Sequence, residues 1–364
     1  MSQLFSEYRL GPLTLPNRLV ISPMCQYSAD HGKATDWHVM HLGNLAMSGA
    51  GCVIVEATAV SPEGRITPGC LGLWDDQTQR ALARPLEFVR QHSDSKILIQ
   101  LAHAGRKASS AVPWKGGQQL GLDAGGWQTV SASHIPFNTA DRAPVALDKE
   151  GIQKLVQDFQ ASARRAVELG LDGIEIHAAH GYLLHQFLSP LSNQRNDEYG
   201  GSLQNRIRIV LEVFDAVRAV TPSNITVGIR ISATDWVDGG WSLDQSLELC
   251  THLKARGCDF VDVSSGGLST QQSIPVGPGY QVGMASEIRR TTKMTTMAVG
   301  MITSAYQAEQ ILASGQADLI AIARAVMYDA RWGWHAAAEL GDQVNAPPQY
   351  WRATPAGQPN PFKR

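Results

Sequence analysis

The chain has 364 residues, with 31 Lys and Arg against 33 Asp and Glu. That balance offers no basic excess for a phosphate backbone and excludes nucleic-acid binding as a main role. Apolar residues make up 43% and charged ones 18%, which excludes a disordered chain and fits a large buried core.

A small hairpin is expected over Leu10 to Leu15, around Gly11-Pro12. Strand and helix patterns then alternate. Strands are predicted at Arg18 to Ser22, Cys52 to Ala57, Lys96 to Leu101, Gly173 to His177, Thr226 to Ile231, Phe260 to Ser264, Thr296 to Gly300 and Leu319 to Ala323. Helices are predicted at Trp37 to Met47, Thr78 to Gln91, Lys149 to Leu169, Asn205 to Val220, Ser242 to Arg256, Ala285 to Lys293, Ser304 to Ala313 and Trp332 to Leu340. Several helices run into a glycine that suits a left-handed cap, namely Gly49, Gly170, Gly257 and Gly315.

Strands apolar on both faces, such as Cys52-Val53-Ile54-Val55, point to a parallel sheet covered by helices. Eight such units predict an α/β fold, a single (β/α)8 TIM barrel over residues 1–352, with the hairpin as its N-terminal cap. A doubly wound open sheet is the rival, but no Gly-x-Gly-x-x-Gly follows the first strand; Gly277-Pro278-Gly279 with Gly283 reads as a loop. Residues 109–144 form a long excursion after strand three, able to cover a site. Residues 353–364, rich in Pro and Gly, are expected to be a disordered tail. The five cysteines are odd in number and contain no Cys-x-x-Cys pair. With no secretory signal or apolar span in the sequence, they point to a reducing cytoplasm and no membrane.

In such a barrel the chemistry sits at the C-terminal ends of the strands. There the chain carries Ser22-Pro23-Met24-Cys25-Gln26-Tyr27, Glu56-Ala57-Thr58, Gln100 followed by His103 to Lys107, His177-Ala178-Ala179-His180-Gly181-Tyr182, Arg230, Ser264 to Gly267, Gly300 and Ala323-Arg324. Small residues after strands six and seven, with Arg324 after eight, form a cup suited to a phosphate. His177 and His180 can aim two ring donors at one substrate oxygen, or with His103 they can hold a zinc ion. Arg230 is costly inside a barrel unless it meets an anion.

These motifs, with Gln100 to Lys107, Leu188 to Asn193 and Asp197 to Arg206, resemble the old yellow enzyme family, in its bacterial NADPH dehydrogenase and xenobiotic reductase branch with a strand-one cysteine. The resemblance spans roughly residues 3–352. It implies an FMN-dependent oxidoreductase that takes hydride from NADPH, or NADH, and reduces activated C=C bonds of enones or nitro compounds by a ping-pong mechanism. The flavin is expected to bind tightly without a covalent link. It further implies FMN contacts by Ser22, Pro23, Met24, Cys25, Ala57, Gln100, Arg230, Gly300, Ala323 and Arg324. Arg230 then faces the flavin N1–C2=O edge, and Cys25 tunes the flavin. Tyr27, His177, His180 and Tyr182 bind substrate, with Tyr182 donating the proton. The segment Pro347 to Arg352 resembles a tail by which Arg352 enters a neighbouring subunit's site in a homodimer or homotetramer. Ala323 departs from the family pattern, which has Gly there. Two other readings stand beside this one: a metal-dependent hydrolase or aldolase barrel using His103, His177 and His180, and a non-catalytic FMN carrier.

Overall fold

A computed structural model describes residues 2–363. Strands β1 (Tyr8–Leu10) and β2 (Leu13–Leu15) pair antiparallel as the expected hairpin. Eight further strands close into a parallel barrel: β3 (Leu19–Ile21), β4 (Cys52–Ala59), β5 (Lys96–Ala102), β8 (Gly173–Ala178), β9 (Thr226–Ser232), β10 (Phe260–Ser264), β11 (Thr295–Ala298) and β12 (Leu319–Ile322), with β12 returning to pair with β3. The predicted (β/α)8 barrel is the observed fold, with each predicted strand found within two residues of its expected ends.

Side chains alternate across a strand. Leu19, Ile21, Val53, Val55, Ile97 and Ile99 face outward into the core shared with the helices. Val20, Cys52, Ile54, Leu98, Phe260, Met297 and Leu319 face inward, where Leu10 and Leu15 of the hairpin join them. The barrel floor is thus apolar and closed by the hairpin. Gly228 permits this filling, because a Cβ there would stand 2.4 Å from the Phe260 ring. Farther along the same inward rows come Ser22, Gln100, Glu175, His177, Arg230, Asp262 and Ser264, all buried. One end of the barrel is oil and the other is polar.

The outer layer contains α1 (Asp36–Ala46), α2 (Asp76–His92), α3 (Lys149–Glu168), α5 (Leu203–Val220), α6 (Leu243–Ala255), α7 (Val282–Thr292), α8 (Ala305–Ala313) and α10 (Trp332–Leu340). Asp75, Asp148 and Ser202 cap their helices by accepting backbone N–H bonds from Thr78, Gly151 and Asn205. Two helices escape the sequence pattern, α4 (Leu183–Leu188) and α9 (Arg324–Tyr328). All six α4 residues are buried, so no polar face marks its period; α9 has five residues, too few for a period to show. The excursion at 109–144 contains β6 (Val130–Ser131), which pairs with β7 (Val145–Ala146) just beyond it.

Near the end of the described chain, the segment around Phe362 meets Val344. Val344 N–H donates to Pro361 O at 2.7 Å and Lys363 N–H donates to Val344 O at 3.0 Å. Phe362, 2% exposed, sets its ring 4.9 Å from Trp334.

Candidate active site

The turn after β3 is held from several sides. Ser22 N–H donates to Ile322 O at 3.0 Å, while the buried Ser22 Oγ has no partner. Gln26 N–H donates to Glu56 Oε2 at 2.9 Å, and Gln26 Nε2 donates to Met24 O at 2.9 Å. These bonds fix the backbone around Pro23, Met24 and Cys25, all partly exposed. Tyr27 adopts φ +53°, a left-handed conformation, and meets Trp114 of the excursion edge-on with ring centroids 5.8 Å apart. Burial, then the neighbouring Cys70 and Glu56, pushes the Cys25 thiol well up, so it stays a neutral thiol rather than a nucleophilic thiolate.

His177 is the penultimate residue of β8, and His180 follows in a left-handed conformation at φ +59°. Their rings meet edge-on at 5.2 Å, and Tyr182 stands 5.1 Å from His177. Burial, followed by the charge of Arg230, holds both imidazoles well below the usual range. Each neutral ring therefore has one donor and one acceptor nitrogen. His177 Nδ1 accepts from Ala179 N–H at 3.4 Å, which leaves Nε2–H as its donor. His180 Nε2 lies 2.7 Å from Ser264 Oγ. Burial likewise raises the Tyr182 phenol well above its ordinary value and keeps it protonated.

The loop carrying these groups rests on α4. Gly181 N–H donates to His185 Nδ1 at 2.9 Å, and His185 Nε2 lies 2.8 Å from Asp235 Oδ1. Asp235 also accepts from Ser189 Oγ at 2.6 Å and Trp241 N at 2.7 Å. Lys107 Nζ donates to His180 O and Gly267 O, both at 2.9 Å. A cavity of about 160 Å³ opens beside Tyr27, Lys107, Phe137 and Tyr182.

Below the histidines, Gln100 Nε2 donates to Glu175 Oε1 at 2.8 Å, and Arg230 Nε stands 3.2 Å from Asp262 Oδ2. The anion that Arg230 meets in the chain itself is thus Asp262. Neither acid was among the residues singled out from the sequence, although both occupy inward strand positions two residues before His177 and Ser264. Ala57 is buried in β4, two residues before its end. Gly300 has φ +121°, and a Cβ there would meet Gln281 and Tyr280 at 2.8 to 3.0 Å. Ala323 directly precedes α9, and Arg324, its first residue, is exposed with no ion pair among the described residues.

Two expected residues lie apart from this cluster. His103 Nδ1 accepts from Gly105 N–H, and burial lowers its ring to about 4. Among the described residues, no group of three or more His, Cys, Asp and Glu side chains is arranged to hold a metal. Arg352 is exposed. The tail before it, Val344 to Gln349, lines a cavity with Gly49, Ala50, Ser93 and Ser95, residues that precede β4 and β5 at the apolar end. Within one chain, Arg352 is therefore on the far side of the barrel from His177.

The polar end fits a flavin. It offers an unpartnered Ser22 Oγ, the buried donors of Gln100 and Arg230, a glycine that keeps its surroundings open and a free Arg324. Residues 3–343 match the model of the NADH:flavin oxidoreductase / NADH oxidase family. An NADPH dehydrogenase of Listeria innocua is 46% identical over 97% of this chain and 99% of its own. One of Geobacillus thermodenitrificans is 46% identical over 96% and 98%. Morphinone reductase in complex with tetrahydroNAD superposes with a TM-score of 0.76 at 27% identity, covering 99% of this chain and 98% of that one. The chain therefore belongs to the old yellow enzyme family of NADH:flavin oxidoreductases, and it is an oxidoreductase with FMN as cofactor and a reduced nicotinamide as hydride donor.

Proposed function

We propose that this enzyme is an ene-reductase, which uses NADPH, or NADH, to reduce the activated C=C bond of α,β-unsaturated carbonyl or nitro compounds in a ping-pong cycle. The observation that carries this reading is the neutral His177 and His180 pair beside a protonated Tyr182. Neutral imidazoles donate to a carbonyl or nitro oxygen without giving up a proton, and so polarise it as negative charge develops. His177 donates through Nε2–H. His180, whose Nε2 lies 2.7 Å from Ser264 Oγ, donates to the substrate through Nδ1–H in the tautomer whose Nε2 accepts from that hydroxyl. Tyr182 supplies the proton to the substrate's α carbon. Tyr27 and the excursion behind it wall the substrate cavity.

When bound, FMN would supply the hydride-transfer chemistry that links the nicotinamide to the second substrate. Ser22, Pro23, Met24, Cys25 and Ala57 would hold its ring; Gln100 and Arg230 would hold the pyrimidine edge; Gly300, Ala323 and Arg324 would hold the phosphate. The Ala323 methyl alters the fit and leaves the backbone N–H available. Arg352 reaches a substrate in a neighbouring subunit, and the five free thiols suit the reducing cytoplasm.

The test is anaerobic rapid mixing of the yellow protein with NADPH, then with cyclohexenone. Both half-reactions should proceed, and replacing His177 and His180 together by Ala should abolish phenol binding and slow the second. Full enone turnover in that double variant would overturn the reading. Reduction by NADPH with no turnover of any enone or nitro compound would favour a carrier.

A further inference from the structure

The layer beneath the histidines holds more charge than its two cofactor-facing residues explain. Gln100 on β5 pairs in register with Glu175 on β8, and Arg230 on β9 pairs with Asp262 on β10. All four are buried, Glu175 and Asp262 completely. Gln100 Nε2 spends a hydrogen on Glu175 Oε1, yet Glu175 Oε2 and both Asp262 oxygens have no hydrogen-bond partner. A primary amide has donors at one end and an acceptor at the other. Whatever takes the Nε2 hydrogen therefore also decides where Oε1 is left.

We propose that Glu175 is a positioning residue for the flavin, fixing the Gln100 amide so that its Oε1 remains the acceptor offered to the pyrimidine edge. The proposal rests on FMN occupying this end of the barrel. It assigns a task to an acid that touches neither substrate nor cofactor. Two carboxyls beside one guanidinium leave a surplus negative charge in a dry layer unless one carboxyl keeps its proton. Burial, and then Asp262, pushes Glu175 up to about 8. At neutral pH Glu175 is therefore an uncharged acceptor, and Asp262 balances Arg230. The other titratable groups facing it are His177 on β8, neutral, and Cys52 on β4, whose thiol burial holds protonated.

Release of FMN from the holoenzyme on dilution, followed by flavin fluorescence, tests the link through Gln100. Glu175→Gln keeps an acceptor, and its FMN affinity should stay within about threefold of wild type; Glu175→Leu should lose at least about tenfold. Gln100→Leu should lose a similar amount, and the Glu175→Leu, Gln100→Leu double variant should lose no more than the worse single one. Additive losses, or a Glu175→Leu enzyme that holds FMN like wild type, would overturn the assignment. Should Glu175→Leu fail to fold, the midpoint potential of Glu175→Gln decides. Above about pH 8 the wild-type carboxyl ionises and opposes the negative charge gained on reduction, so the wild-type potential should fall more steeply with pH than that of Glu175→Gln. Parallel curves would sink the proposal. Wild-type protein that binds no FMN would instead strike the cofactor reading beneath it.

Discussion

At the scale of single residues, burial sets the protonation states that the proposed chemistry needs. A phenol held well above its ordinary range remains a proton donor across neutral pH. For Tyr182→Phe, the second half-reaction with cyclohexenone should slow by about a hundredfold, while reduction by NADPH stays near wild type. Equal slowing of both halves in rapid mixing would remove Tyr182 from the donor role. The same burial carries a stability cost in acid. His103 is lowered from its ordinary 6.5 to about 4, so between those values the unfolded chain binds a proton that the folded one refuses. Stability then falls as pH drops through that window, by at most roughly 1.4 kcal/mol per pH unit for this one group. His103→Gln should flatten the slope, measured by urea unfolding between pH 4 and pH 7; an unchanged slope would assign the acid sensitivity elsewhere.

At the scale of elements, α4 is the foundation of the reactive loop. Asp235 takes contacts from His185, Ser189 and Trp241, and His185 in turn holds the Gly181 N–H between His180 and Tyr182. Asp235→Ala strands several buried donors and should cost about 3–5 kcal/mol in denaturant unfolding, with weakened phenol binding in the fraction that folds. Stability within about 0.5 kcal/mol of wild type would show that the pair is dispensable. None of this support was legible in the sequence, because α4 is buried on every side and shows no amphipathic period. The strands were legible for the opposite reason: β-branched runs between turn residues repeat with regular spacing. The strand-end residues Ser22, Gln100, His177 and Arg230 could be read from their positions. The acids that pair with Gln100 and Arg230, Glu175 and Asp262, could not, because pairing across strands depends on register, which a single strand does not encode.

At the scale of the whole molecule, the two ends of the barrel divide the work, and Arg352 stands at the end without chemistry. The tail there is anchored by Phe362 against Trp334, and by Tyr350, whose ring lies 5.3 Å from the same Trp334. A role for Arg352 in substrate binding therefore requires a second chain. The surface leaves room for one: Trp37 and Met40 on α1 are 47% and 49% exposed, and Tyr328 on α9 is 97% exposed. Such apolar side chains are commonly covered by a partner. Arg352→Ala should then raise the KM for an enone by about tenfold, the scale of one lost charge-assisted hydrogen bond. The sharper check mixes two crippled enzymes. In a hybrid of Tyr182→Phe and Arg352→Ala chains, the site with an intact Tyr182 receives its Arg352 from the Tyr182→Phe partner. Low-KM turnover should reappear in such mixtures after subunit exchange, although neither parent has it. If exchange is verified by native mass spectrometry and the KM stays high, Arg352 acts at no neighbour's site.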